Sequence, residues 1–182
     1  MIVPDLKVLR GPLDIDCILL RPFRAADITA DYLSWLNDPN VMRFSNQRFL
    51  CHTEQTCLDY LTSFLESPNH FLALLHRGSG AMFGTITVYH NVFHGTADIG
   101  IMVGDSRLWG RGLGAIAFRA VMQVLEDSEV IRKITAGAAS LNLGMVRIME
   151  KAGMHHEATR YAQELVEGEL VDIVYYAKFC HD

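Results

Sequence analysis

The chain has 182 residues, of which 50% are hydrophobic and 20% charged, and its formal net charge is −5. We expect one globular domain over residues 1–182, because single domains commonly hold about 100 to 200 residues. The negative charge argues against a nucleic-acid-binding surface and mildly favours amine-bearing partners. No apolar run approaches the length of a membrane span, and the N-terminus lacks a basic segment followed by an apolar one. We therefore predict a soluble, cytoplasmic protein without membrane contact.

The cysteine pattern indicates neither a disulfide framework nor a structural metal. The four cysteines include no CxxC pair, and none lies at zinc-finger spacing from a histidine. We expect reduced, buried thiols and no bound metal. His90 and His94 form an H-x-x-x-H pair, but a pair of this kind on a loop is poor evidence for a metal site.

Hydrophobic periodicity predicts a strand, two helices and a hairpin in the first half of the chain. Thr53 is expected to cap the second helix, with Thr56 one turn in. The predicted elements are a strand at residues 17–23, a helix at 25–37, a polar loop at 40–52, a helix between Thr53 and Ser67, and strands at 71–77 and 83–90 joined by Gly78-Ser79-Gly80.

The second half of the chain is predicted to alternate strands with two further helices. The elements are a strand at residues 97–103, a glycine loop and helix up to about residue 125, a strand at 131–139, a helix at 143–152 ended by Gly153, and strands at 155–164 and 170–179. This order describes an α/β domain with a mixed sheet, since it is not a regular βαβ alternation.

The stretch RLWGRGLG, residues 107–114, places three glycines at alternate positions before the predicted helix. Backbone N–H groups converging at a helix N-terminus bind phosphate well. A Walker loop is excluded because no glycine here precedes Lys and then Ser or Thr. Gly110, Gly112 and Ala115 formally match a dinucleotide-binding pattern, but the loop lies too far from its strand and no acidic ribose ligand follows about 20 residues later.

Arg107 with this loop, as R-x-x-G-x-G, resembles the pyrophosphate loop of the GNAT superfamily of N-acetyltransferases. The similarity extends to ADIGIMVGDSRLWGRGLG, to the asparagine and EKAG helix in SLNLGMVRIMEKAGM, and to nearly the whole chain. The branch containing ribosomal-protein alanine and serine acetyltransferases and amino-sugar acetyltransferases is the most similar. The resemblance implies a single-domain fold whose mixed, mostly antiparallel sheet has splayed central strands, and acetyl-CoA as co-substrate.

In that superfamily the loop and the preceding strand hold the coenzyme. The resemblance therefore implies pyrophosphate binding by the N–H groups of 108–114, and a thioester platform at 100–103 where the Met102 N–H polarises the carbonyl. Arg107 and Arg111 are possible charge partners, although Arg111 is equally a solvated surface residue. The implied coenzyme residues are Ile101, Met102, Val103, Arg107, Leu108, Trp109, Gly110, Arg111, Gly112, Leu113, Gly114 and Asn142. Asn142 is also expected to cap the helix that follows it.

Asp98 is the candidate general base, because relatives carry a glutamate at the matching position. By strand alternation it lies on the face of Gly100, and the shorter aspartate would act through water. The alternative of a structural strand-end aspartate stays open, and His90 and His94 are rivals that we expect to be ordinary surface histidines. The family's acid positions hold Met149 and Met145, which leaves Tyr175, Tyr176 and Ser140 as possible donors.

We expect the acceptor amine to enter between the two N-terminal helices and the final hairpin, near an arginine-rich and aromatic loop. The candidate contacts are Trp35, Asn37, Arg43, Phe44, Asn46 and Arg48. They would suit an amino sugar on a nucleotide carrier, or form the rim of a homodimer, whereas a ribosomal-protein N-terminus would need an acidic groove. An acyl-CoA-sensing domain without turnover and a nicotinamide-dependent oxidoreductase are the alternative functions.

Overall fold

The computed structural model describes residues 7–180, in which eight strands form one sheet of order β1-β2-β3-β4-β5-β6-β8-β7. The strands are β1 Leu13–Ile15, β2 Ile18–Pro22, β3 His70–His76, β4 Met82–Asn91, β5 Thr96–Val103, β6 Lys133–Ala139, β7 His155–Val166 and β8 Glu169–Phe179. The N-terminal stretch that argued against an export signal lies partly outside the described residues. Within the described chain, no helix has the length and hydropathy that crossing a bilayer requires.

Four α-helices flank the sheet, and local capping fixes where most of them begin. The helices are α1 Ala30–Leu36, α2 Glu54–Leu65, α3 Leu113–Glu126 and α4 Leu143–Lys151. The Thr53 side chain accepts the N–H of Thr56, whose own side chain accepts the N–H of Thr53, so threonine takes the place of glutamate in a capping box. Gly112 begins α3 in the left-handed conformation, with φ of 81°.

The sheet is antiparallel except between β5 and β6, which run parallel. Their register covers only Thr96–Asp98 against Lys133–Thr135, and the strands separate beyond that point. The predicted α/β fold, with a mixed and mostly antiparallel sheet splayed at its centre, is confirmed. The separation leaves a gap between residues 99–103 of β5 and residues 136–139 of β6.

Hydrophobic packing on the two faces of the sheet holds these strands in place. On one face, α3 and α4 bury residues such as Phe118, Met122 and Met149 against Ile86 and Ile99 of the sheet. On the other, α1 and α2 pack Tyr32, Leu61 and Phe64 against β3, where Phe71 is central to an aromatic group. The gap therefore lies in the middle layer of a helix–sheet–helix arrangement.

Several boundaries differ from the predictions. The predicted helix 25–37 is two pieces, a 3-10 helix at Ala25–Asp27 and then α1. The break occurs because Asp27 turns inward to bind the Arg21 guanidinium at 2.6 Å, and the Thr29 side chain then caps α1. The polar loop contains a 3-10 helix at Asn46–Phe49, and β1 was not predicted. The four cysteines lie within the described residues and form no disulfide; Cys57 and Cys180 are buried as expected, but Cys17 and Cys51 are exposed.

Candidate active site

Successive peptide groups of β5 point alternately to the strands on its two sides, and one hydrogen bond shows which residues face β4. The Gly104 N–H donates to the Phe83 carbonyl of the neighbouring strand segment at 2.9 Å. In an antiparallel ladder the residues that bond across the pair recur at every second position. The groups of Met102 and Gly100 therefore point to β4, and those of Ile101 and Val103 point toward β6. Because β6 has separated there, Ile101 offers its N–H and C=O to the gap, and Val103 offers its N–H, while the Val103 carbonyl accepts the Trp109 indole N–H.

The direction of the Met102 peptide group corrects the role predicted for this residue. Met102 pairs with Thr85 of β4, and its carbonyl lies so close to Gly84 that a Cβ at residue 84 would be 2.2 Å from the oxygen. The Met102 N–H is thus engaged within the β4–β5 ladder. Its side chain packs into the α1–α2 cluster. The donor available to a thioester in the gap is the N–H of Ile101 rather than that of Met102.

The glycine loop lies at the wide end of the gap and is open to solvent. Gly110 and Gly112 have φ of 74° and 81°, and a Cβ at either position would meet nothing within 4 Å. These conformations favour glycine, because left-handed backbone costs other residues about 1 kcal/mol or more. The N-terminal N–H groups of the 14-residue α3 point out of this loop, which leaves unpaired donors and positive helix-dipole charge for an anion.

Side chains of the loop hold it against β5. The Trp109 indole N–H donates to the Val103 carbonyl at 2.7 Å. Arg107 binds Asp105 at 2.8 Å, and this pairing lowers the pKa of the Asp105 carboxyl. The Arg107 side chain is nevertheless 86% exposed, and Arg111 is exposed as well, so both lie at the surface beside the loop. Leu108 and Leu113 pack against the core, and a Cβ on the buried Gly114 would be 3.1 Å from Val103.

Asn142 has the capping role that the sequence predicted. Its side-chain oxygen accepts the Met145 N–H at 3.2 Å at the start of α4. Its predicted contact with the coenzyme remains a prediction. Met145 and Met149, at the family's acid positions, are both buried in the core.

Tyrosines near the gap remain candidate proton donors. Tyr175 lies beside Gly137, where a Cβ would be 3.1 Å from the Tyr175 ring, so this ring borders the β6 side of the gap. The Tyr176 hydroxyl instead donates to Glu150 at 3.3 Å. Burial and the nearby Glu150 carboxylate both raise the pKa of the Tyr176 hydroxyl.

Asp98 lies at the closed end of the gap on the face of Gly100, as alternation predicts. The Thr135 hydroxyl donates to its carboxylate at 2.6 Å, and Tyr89 lies directly across on β4. Although Asp98 is partly exposed to solvent, the groups crowded around it partly desolvate the carboxylate and raise its pKa, against the opposing effect of the Thr135 hydrogen bond. A carboxylate of raised pKa is a stronger base than an ordinary surface aspartate.

His90 is not the surface histidine that the sequence suggested. It is 6% exposed, and its Nε2 atom is buried without a hydrogen-bond partner, so burial lowers its pKa. Nε2 itself is shielded from solvent, although His90 belongs to the lining of the cavity beside Asp98. His94 is exposed in the β4–β5 turn, as expected, and its carbonyl accepts a hydrogen bond from Arg132.

The predicted acceptor-binding loop is tied to the β7–β8 hairpin. Arg43 binds Glu167 at 2.6 Å, Asn46 binds Glu164 at 3.0 Å, and Arg48 donates to the Leu165 carbonyl at 2.9 Å. Phe44 packs beneath them against a small hydrophobic cluster that includes Ile173. We call these contacts the loop–hairpin clasp. They join the loop and the hairpin between which the acceptor was expected to enter, while Trp35 contacts Gly104.

An open cavity of about 460 Å³ adjoins Asp98 from the side opposite the clasp. It lies between the α2–β3 connection, the β4–β5 hairpin and the start of β6, and its lining includes Tyr89, Phe93 and Thr135. These three residues are not among those that the sequence patterns indicate. Hairpin pairing with Asp98 was the available signal for Tyr89. In the described chain, no three His, Cys, Asp or Glu side chains are grouped as metal ligands.

A mixed sheet opened between two parallel central strands, with a glycine loop and helix N-terminus at the wide end, is the architecture of an acetyl-CoA-dependent acetyltransferase. The family model for the acetyltransferase (GNAT) domain matches residues 18–155, and the chain therefore belongs to the GNAT acetyltransferase family. No curated protein sequence matches this chain significantly.

Solved structures share the fold at low sequence identity. RimL, a ribosomal-protein alpha-N-acetyltransferase in complex with coenzyme A, superposes with a TM-score of 0.81 at 13% identity, covering 93% of this chain and 98% of its own. A GNAT-family acetyltransferase from Bacillus anthracis gives 0.77 at 20% identity, covering 92% and 98%. Spermidine N-acetyltransferase from Vibrio cholerae, in complex with coenzyme A and spermine, gives 0.78 at 14% identity, covering 89% and 95%.

Proposed function

We propose that this protein is an N-acetyltransferase that transfers the acetyl group of acetyl-CoA to a primary amine. The observation that carries the proposal is the gap beside β5, which leaves the N–H and C=O of Ile101 and the N–H of Val103 without a partner strand. A pantetheine arm contains amides that pair with such groups as a strand would. The glycine loop at the wide end supplies N–H groups for the pyrophosphate.

Several further residues support coenzyme binding at this place. Arg107 and Arg111 are exposed beside the loop, where their charges would face the phosphates. Gly137 on the opposite strand is covered by the Tyr175 ring, which would lie beside the thioester. Acetyl-CoA thus fits as co-substrate, with its reactive end toward Gly100 and its nucleotide end at the loop.

In the reaction, the amine nitrogen forms a bond to the thioester carbonyl carbon, and the carbon–sulfur bond breaks. Asp98 would take the proton from the amine, directly or through a water molecule. The Ile101 N–H would stabilise the oxyanion that develops during attack. The thiol has a pKa of about 8.5 and therefore leaves readily as thiolate, so the absence of the family's usual acid at Met149 is compatible with turnover.

The chemistry of the acceptor determines how much help this base must give. An α-amino group has a pKa of about 7.7 to 8.0, against about 10.4 for lysine, so an alkylamine needs more help from Asp98 with deprotonation than an α-amino group does. The second candidate function is acyl-CoA sensing without turnover, favoured by the buried methionines at both expected acid positions. Both functions require coenzyme binding in the same gap.

The experiment that tests the proposal measures coenzyme binding and thiol release separately. Acetyl-CoA binding is measured by calorimetry, and free thiol is then followed with small amines, amino sugars, polyamines and short peptides. Turnover dependent on one amine class supports the enzyme, and Asp98→Asn should then lower kcat by about 10²-fold or more. Tight binding without turnover across the panel favours the sensor, and the absence of binding contradicts both functions.

A further inference from the structure

The two possible routes to Asp98 differ in how they are lined. On the hairpin side, the loop–hairpin clasp joins Arg43 to Glu167 and Arg48 to Leu165, with Phe44 packed beneath. On the side of the β4–β5 turn, the cavity of about 460 Å³ reaches Asp98 without an intervening side-chain ion pair among its lining residues. A volume of this size suits a small organic molecule rather than a folded partner.

The cavity combines one carboxylate with aromatic walls. Asp98 lies between Thr135, which donates to it at 2.6 Å, and Tyr89, its register partner on β4. The Tyr89 and Tyr60 hydroxyls are 2.8 Å apart, which fixes the Tyr89 ring against α2. Phe93, 80% exposed, lines the outer edge.

We propose that the acceptor binds in this cavity, and that it is a compact amine whose apolar portion lies against Tyr89 and Phe93 while its nitrogen meets Asp98. This inference rests on the proposed N-acetyltransferase function and identifies its substrate class as a small-molecule amine rather than a polypeptide N-terminus. The chemical basis is the attraction of an ammonium group to a carboxylate and to aromatic faces before deprotonation. The negative net charge of the chain also attracts a cationic amine.

Binding of the acceptor can be tested without turnover. The full chain, saturated with coenzyme A that carries no acetyl group, is titrated with phenethylamine and, separately, with a hexapeptide bearing a free N-terminus. Backbone amide chemical shifts are followed by NMR. We expect phenethylamine to shift the amides of Tyr89, Phe93 and Thr135, and to leave those of Arg43 and Glu167 unchanged.

Two exposed phenylalanines provide matched variants. Phe93→Ala removes a cavity wall, whereas Phe49→Ala removes a ring on the clasp side that stacks with Arg48 and is 70% exposed. Phe93→Ala should weaken phenethylamine binding about three- to fivefold, the effect of losing one aromatic contact to a cation, and Phe49→Ala should leave it unchanged. Both side chains are exposed, so neither variant is expected to disturb folding.

The outcomes separate this inference from the proposed function. Shifts confined to residues of the clasp, preferential binding of the hexapeptide, or no shift with any amine would overturn the cavity assignment. The proposed function would still hold if thiol release depended on an amine. Conversely, a chain that binds phenethylamine beside Asp98 but neither binds acetyl-CoA nor releases thiol contradicts the proposed function, and with it the status of the amine as an acceptor.

Discussion

The Trp35 indole lies directly against Gly104, so that a Cβ at residue 104 would be 2.2 Å from Trp35 Cε3. Trp35 belongs to α1, and Gly104 is the first residue after β5, at the start of the segment that leads to the glycine loop. Helix α1 therefore fixes, by direct contact, the position of the segment that we propose to bind the coenzyme. Trp35, a predicted substrate contact, thus packs against the backbone at the end of β5.

Gly104→Ala should destabilise the fold and weaken coenzyme binding together, because the new methyl group displaces either the indole or the segment. Overpacking of this kind costs about 1 to 3 kcal/mol. Urea unfolding and calorimetry with coenzyme A measure the two effects. Adding Trp35→Leu to the Gly104→Ala variant should restore part of the lost stability and part of the lost coenzyme A affinity. Gly78→Ala is the control, since its Cβ would meet only His76 at 3.6 Å, and it should change neither quantity appreciably.

Replacement of Asp98 by asparagine should lower activity while raising stability at neutral pH. The folded-state pKa of Asp98 is raised above its unfolded value, mainly by burial. Such a group contributes stability below its unfolded pKa and loses that contribution as the pH rises through the folded pKa. At pH 7 the charged form therefore opposes folding, and Asp98→Asn should unfold at a higher temperature than the parent.

The matched control for this substitution is Asp59→Asn on the exposed side of α2, where the carboxylate accepts a hydrogen bond from Gln55. Thermal unfolding at pH 7 should show little or no gain in stability for that variant. A loss of stability in Asp98→Asn would instead assign Asp98 a structural role, as the hydrogen-bond partner of Thr135.

His90 should make the protein sensitive to mild acid. Its pKa is lowered by burial, so between that value and about 6.5 the unfolded chain binds a proton that the folded chain does not. Stability should therefore fall as the pH drops below about 6.5, by up to about 1.4 kcal/mol per pH unit for this one proton. Chemical denaturation between pH 5 and 7.5 should show a shallower pH dependence in His90→Leu, and His94→Leu should retain the slope of the parent.

The two arginines of the loop–hairpin clasp should differ in their effect on stability. Arg48 donates to the carbonyls of Ser45 and Leu165, and its side chain is only 14% exposed. Arg43 and Glu167 are 46% and 63% exposed, so their ion pair is well screened by solvent. Urea unfolding of Arg48→Ala should show a loss of about 1 to 3 kcal/mol, because two carbonyls lose a charged donor. A loss of similar size in Arg43→Ala would contradict this assignment.

Gly112→Ala should impair the coenzyme site selectively. A side chain at φ of 81° costs about 1 to 2 kcal/mol, and relief of that strain would rotate the N–H groups at the start of α3. We expect a moderate loss of stability with a larger loss of coenzyme A affinity, measured by calorimetry. Gly144→Ala on α4 provides the comparison, because its Cβ makes only an ordinary contact at 3.6 Å.

The strands and helices were largely predictable because hydrophobic periodicity and capping residues are local. The buried side of α3 and the Thr53 cap of α2 follow from a few neighbouring residues. The break between Ala25–Asp27 and α1 was not predictable, because it depends on Asp27 reaching Arg21 on β2. An acidic residue near the start of a helix can continue the helix or bind a distant cation, and the sequence alone does not show which.

The candidate site shows the same division between local and long-range information. The position of Asp98 on the face of Gly100 and the turn geometry of the glycine loop could be predicted because strand alternation and glycine spacing are local features. The Met102 prediction was wrong because the direction of a peptide group depends on which neighbour the strand bonds to, here fixed by Gly104 and Phe83. The pairing of Arg43 with Glu167 joins residues far apart in the chain, which no local pattern reports.

The short pairing of β5 with β6 makes the sheet two half-sheets, β1–β5 and β6–β8, that share a seam of only Thr96–Asp98 against Lys133–Thr135. A ligand lying in the gap would complete the seam as a temporary ninth strand. The co-substrate would then be a part of the architecture that is removed and replaced in every catalytic cycle. Rigidity of the domain would rise and fall with each turnover, and the half-sheets would be most free to move apart after coenzyme A leaves.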